Sequence, residues 1–207
     1  MALTFATVGG KITAALYNAL VTFANANIPG IFPIVPGGSA GTGVLVGPAG
    51  VVTFTNATTV SLNQCFTTAY ENYQIVVDVT NRTAAVALLM VLRTAGTDNT
   101  AAVYSAQRQG TTGTTATAPA QAINGVNWAI DGSALIGTFH SDISMFGPML
   151  AAATGAQNNG VARSGTTIAG HNGWFDHSVA SSYDGFTLSV GTGTITGTIR
   201  IYGLNNN

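Results

Sequence analysis

Charge is scarce in this chain. Its 207 residues include six Lys and Arg and seven Asp and Glu, 6% in all, for a formal net charge of −1. A typical soluble domain carries roughly 25% charged residues. Lys11 is the only lysine and no basic run occurs. Neutralising a phosphate backbone takes clustered Lys and Arg, so no nucleic-acid partner is expected. Cysteine occurs once, at Cys65, which excludes an intrachain disulfide and a cysteine-rich zinc site. A lone thiol following Asn63 and Gln64 reads as a small buried hydrophobe. The longest strongly apolar run, Ala84 to Leu92, falls short of the roughly 20 residues that span a bilayer. No membrane insertion is expected. The N-terminus has no basic flank ahead of an apolar core, so no secretory signal is expected and folding in a cytoplasm is.

With so few charges, the polar surface must be built from Thr, Ser, Asn, Gln and Gly. These suit strands and turns better than isolated helices. A free soluble protein usually carries more charge, so burial of much of the surface against other subunits is expected. Near the C-terminal end Phe186, Leu188 and Val190 alternate with Thr187 and Ser189. Ile195, Gly197, Ile199 and Ile201 then alternate with Thr196, Thr198, Arg200 and Tyr202. A period of two puts one set on each face of a strand, and Gly191-Thr192-Gly193 between the runs predicts a hairpin. The same alternation recurs in Tyr73, Ile75, Val77 and Val79, while Val86 to Leu92 reads as a central strand. Further strands are predicted around 102–108, 124–130, 134–139, 142–149 and 174–180, with exposed loops at 109–120 and 154–165. The predicted class is all-β, an antiparallel β-sandwich of jelly-roll type over 51–207.

Two segments precede it. Residues 1–27 carry Ile12, Leu16, Ala19 and Phe23 on one helical stripe, which is also the spacing of a short coiled-coil seam. A helix this short is marginal alone, so it needs a surface to pack on, either its own β-domain or a neighbouring subunit. Residues 28–50, crowded with Gly and Pro, are expected to be a connector, with a short strand near Val44 to Val46.

Several stretches resemble the β-sandwich domain of tailed-bacteriophage structural proteins. They are Val51-Val52-Thr53-Phe54-Thr55; the run from Thr59-Val60-Ser61-Leu62 through Cys65-Phe66-Thr67 to Tyr70-Glu71-Asn72-Tyr73; the turn at Thr94 to Asn99 with Tyr104; and Gly197 to Gly203. Gly10 to Leu20 is similar to the opening helix of many phage tail-associated proteins. The resemblance implies a virion protein of the minor tail, tip or fibre-like kind. It implies contacts with other virion proteins through residues 1–50, a homotrimer, and a location in the virion. A capsid decoration protein or head fibre is the alternative within that class. A carbohydrate-binding module or adhesin, contacting a host-surface glycan, is the alternative from another class.

No enzyme, cofactor or metal is expected. The seven acids fall mostly at predicted turns, where Asp caps backbone. His140, His171 and His177, with Asp176, match no zinc spacing, and no Gly-x-Ser-x-Gly elbow occurs. The most suggestive cluster is Trp174, Phe175, Asp176, His177 and Tyr183. Its rings and polar groups suit sugar stacking, a protein interface or plain core packing, and the sequence leaves all three open.

Overall fold

The computed structural model describes residues 30–205, apart from 132 and 134. The expected helical arm, with Ile12, Leu16, Ala19 and Phe23, lies outside the described residues. Among those described, no α-helix occurs, and none is long and apolar enough to cross a membrane. In chain order the strands are β1 (Gly30–Ile34), β2 (Gly38–Ala40), β3 (Val44–Val46), β4 (Val52–Ala57), β5 (Thr59–Asn63), β6 (Asn72–Arg82), β7 (Leu88–Thr94) and β8 (Thr97–Asp98). They continue with β9 (Tyr104–Thr112), β10 (Thr115–Gly125), β11 (Trp128–Ala129), β12 (Thr138–Phe146), β13 (Thr154–Ser164), β14 (Thr167–His177), β15 (Gly185–Val190) and β16 (Ile195–Asn205).

All pairings are antiparallel. A ten-stranded sheet runs β10-β9-β14-β13-β12-β6-β16-β4-β3, with β1 also on β16, and a six-stranded sheet runs β11-β7-β15-β5-β2, with β8 on β7. The core lies between them. Tyr73 of β6 meets Phe66 at 4.8 Å between ring centres, and Phe66 stacks on Phe186 of β15 at 5.9 Å. On the other side of the core Trp128 sits between Tyr104 and Phe175, at 5.4 and 5.6 Å. On β16, Ile195, Ile199 and Ile201 face inward, as their alternation predicts. Cys65 is buried, and burial pushes its thiol pKa far up, so it behaves as a small hydrophobe.

The predicted pairing of 186–190 with 195–202 is overturned. β15 pairs with β5 and β7 in the small sheet, whereas β16 pairs with β6, β4 and β1 in the large one. The Gly191 to Gly193 break is an arch between sheets. The links β4 to β5 and β6 to β7 are arches too. The three meet at one end of the molecule, where Val190 N donates to Thr58 O (3.1 Å) and Thr83 N to Thr194 O (3.0 Å). A glycine-rich break permits a chain reversal within one sheet or across two, and the alternation on either side is the same in both cases.

The two stretches expected as loops are strands: 109–120 lies largely in the β9–β10 hairpin, and 154–165 is β13. The inward positions of β13 are Ala156, Asn158, Gly160 and Ala162, small because neighbouring strands supply Phe139, His171 and Phe175 to the same layer. Strands without large apolar residues give no alternation signal. The single strand β12 replaces the two expected at 134–139 and 142–149. Within 28–50, β1, β2 and β3 join the sheets, so the described part of that Gly/Pro-rich stretch is built into the sandwich.

Candidate functional site

Strand parity splits the suspected aromatic cluster. On β14, Phe175 and His177 point inward while Trp174 and Asp176 point to solvent. Phe175 packs on Trp128, and Tyr183 is 1% exposed with its hydroxyl 3.3 Å from His177 Nδ1. Phe175, His177 and Tyr183 are therefore core residues and no surface contact, a correction to the sequence reading. Trp174 is 43% exposed and stands on the outer face of the large sheet.

That outer face carries the candidate site. Cross-strand register lines its side chains into rows. One row runs Arg200, Val76, Asp142, Asn159, Asn172, Gln109 across β16, β6, β12, β13, β14 and β9. Two residues along the strands, a second runs Tyr202, Gln74, Ser144, Gln157, Trp174, Gln107. On the other side a third runs Thr198, Asp78, His140, Val161, Gly170, Thr111. The first row, and the third from Asp78 to Thr111, line a cleft of about 1000 Å³, walled on the β10 side by Ala116 and Pro119. A smaller hollow of about 240 Å³ flanks Trp174, with Gln107, Gln121 and Asp176.

Two contacts hold polar groups of the cleft in place. Gln74 Nε2 donates to Asp142 Oδ2 at 2.7 Å, and His140 Nδ1 lies 2.9 Å from Asp78 Oδ1. The floor is low at Gly170. A Cβ built there would meet only Thr111 Oγ1, at 3.9 Å, so a side chain could stand in the cleft without displacing anything. Gly160 on the neighbouring strand faces inward, and a Cβ there would come within 2.5 Å of the His171 ring. The missing side chain makes room for that ring, which stacks on Phe139 at 5.5 Å and 6°.

Beneath the floor lies a buried polar cluster. His171 Nε2 is 2.8 Å from Ile130 O, and Asn158 Nδ2 donates to the same carbonyl at 2.6 Å. Next in sequence, Asp131 forms an ion pair with Arg82, both almost wholly buried, and accepts from Ser133 N and Oγ at 2.8 and 2.6 Å. These groups are enclosed and serve the fold. Among the described residues no three His, Cys, Asp or Glu side chains converge on a possible metal position. His140, His171 and His177 stand apart, the first on the outer face and the others inside.

Burial holds the pKa of both His171 and His177 below the ordinary 6.5. Above that value neither the folded nor the unfolded chain protonates these rings, and stability is insensitive to them. As pH falls through it, the unfolded chain takes up protons that the folded one refuses, so stability is lost. The melting temperature should fall between about pH 7.5 and about pH 5. The double variant His171→Gln, His177→Phe should show a shallower fall, whatever its stability at the upper pH. Thermal melts across that range check it, and equal slopes would refute it.

Sequence reasoning found Trp174 and Asp176 and missed Asp78, Gln109, His140, Asp142, Asn159, Asn172 and Arg200. A signal was there: Gln107-x-Gln109 and Gln157-x-Asn159 repeat an amide i, i+2 pair and Asn172-x-Trp174 pairs an amide with an aromatic, and this spacing places both members on one strand face. Comparison with protein-family models, curated proteins and solved structures finds no match for this chain.

Proposed function

We propose that the chain is a structural and recognition protein of a bacteriophage virion. It is tail-associated, as a minor tail, tip or fibre-like component, with a jelly-roll-like sandwich that presents its outer face toward the host surface. The sequence resemblance supplies the virion context. The observation that carries recognition is the broad cleft on the outer face, lined by the amides Gln109, Asn159 and Asn172.

Attachment is assigned to residues 1–50, most of which precede or form the β1 edge. The N-terminal residues join at Gly30, beside Ile31, which is 59% exposed and registers with Leu204. Phe146, also exposed, lies on the same row across β6. This apolar corner adjoins the β16 end of the same face, four residues along that strand from Arg200 in the cleft lining. The stripe Ile12, Leu16, Ala19, Phe23 has the spacing of a coiled-coil seam in the same segment, and the resemblance supplies the trimer.

A chain lacking residues 1–27 should keep its β-sheet circular dichroism, sediment as a monomer and fail to enter particles. Normal incorporation of the truncated chain would move the docking surface onto the sandwich and refute this assignment. Gold-labelled virions separate the tail from the alternatives of capsid decoration or head fibre, since label on the head would favour those.

A further inference from the structure

We propose that the outer-face cleft of the large sheet binds a neutral, hydroxyl-rich oligosaccharide laid across the strands, with the Trp174 ring as a stacking platform at its margin. This rests on the reading of that face as a recognition surface and adds the class of ligand.

Size comes first. Ligand sites commonly run to roughly 300–1,000 Å³, and this cleft, at about 1000 Å³, is at the upper end. Its lining extends from Arg200 on β16 to Gln109 on β9, six adjacent strands. At about 4.8 Å between strands that is roughly 24 Å, room for an extended chain of several sugar rings.

Lining chemistry then selects the ligand. A polyanion would need several cations, but Arg200 is the only Lys or Arg in the lining, and Asp78 and Asp142 oppose it. A lipid or other apolar chain would strip water from Gln109, Asn159 and Asn172 and return no hydrogen bonds. Among the described residues, none of these amides is tied to another part of the chain. Each offers both a donor and an acceptor, which is what a hydroxyl needs. Asp142, held by Gln74, adds a fixed acceptor. Val76 and Val161, on the two strands flanking β12, each offer an apolar patch for the C–H face of a sugar ring. Trp174, one row away, exposes an aromatic face between Gln157 and Gln107. An exposed indole amid amides suits stacking on a ring whose edge is polar and whose face is not.

A printed array of neutral, amino and acidic glycans, probed with the full-length chain, tests this. Binding is expected to neutral members and not to sulfated or uronic ones. Asn172→Ala and Trp174→Ala should each weaken the strongest signal by about tenfold or more. Gly170→Ile should abolish it, because the new side chain stands on the cleft floor. Its melting temperature should stay near the parent's, since the position is open. Should Gly170→Ile misfold, the two surface alanine variants decide. Binding confined to acidic glycans, no binding at all, or variants that bind like the parent would overturn the proposal. So would variants that change sedimentation alone, which would make the face an interface between copies. Loss of this proposal leaves the virion assignment intact if deletion of 1–27 still blocks incorporation. Neutral-glycan binding by a full-length chain that never enters particles would uphold the ligand class and remove the virion assignment.

Discussion

Arg82→Met should destabilise the protein by about 3–5 kcal/mol, the usual result of removing one partner of a buried ion pair. Arg82 is 1% exposed and Asp131 0%, so water cannot take over the lost contact. The charge left on Asp131 would keep only the Ser133 N–H and hydroxyl as partners. Against a total stability of roughly 5–15 kcal/mol, the loss is a large fraction. Asp131→Asn should cost a similar amount for the mirror-image reason: it retains an acceptor for Ser133 but strands the guanidinium, whose Nη1 would keep only Val86 O. The double variant Arg82→Met, Asp131→Asn should recover a good part of the loss, since no charge is then left buried. Urea unfolding measures all three. The midpoint should move with little change in slope, because the surface exposed on unfolding is nearly unchanged. A single variant as stable as the parent would mean that the pair contributes nothing, and that water reaches the site.

Ile199→Asp should give no soluble folded chain. Ile199 lies at the middle of β16, with Val77 of β6 on one side and Val52 of β4 on the other, and is 0% exposed. A carboxylate there has no partner, and the cost of desolvating it exceeds the stability available. The neighbouring Arg200→Asp changes charge on the opposite face of the same strand and should fold normally. Ile199→Val should stay soluble and lose about 0.5–1.5 kcal/mol. Expression, solubility and melting of the three variants check the register. If Ile199→Asp melts like the parent, β16 has been placed one residue out.

Side-chain parity was legible in the sequence wherever large apolar residues alternated with polar ones. Tyr73 to Val79 and Ile195 to Ile201 face the core as their spacing says. Partnership was not legible. Parity on β15 and β16 is compatible with a hairpin, and only the packing of β15 between β5 and β7 decides against one. Nor were strands visible where the inward residues are Ala, Asn and Gly, as on β13, because their small size answers to bulky neighbours far away in sequence. The site divides the same way. Period two applied to Trp174-Phe175-Asp176-His177 already separates the two residues that face water from the two that do not. The cleft itself is assembled from short pieces of seven strands, and the local pairs on β9, β13 and β14 mark an outward face without saying that those faces lie side by side.

Among the described strands β16 holds an unusual place: it is the furthest along the chain, yet it sits inside the large sheet, with β6 on one edge and β4 and β1 on the other. β4 and β6 gain their common partner only when β16 closes back over the whole stretch of chain between them, and β1 pairs with β16 alone. Such long-range closure is slow compared with local hairpin formation. The centre of the large sheet is therefore expected to form after the β9–β10 and β13–β14 hairpins, and its strand edges are the last to be covered.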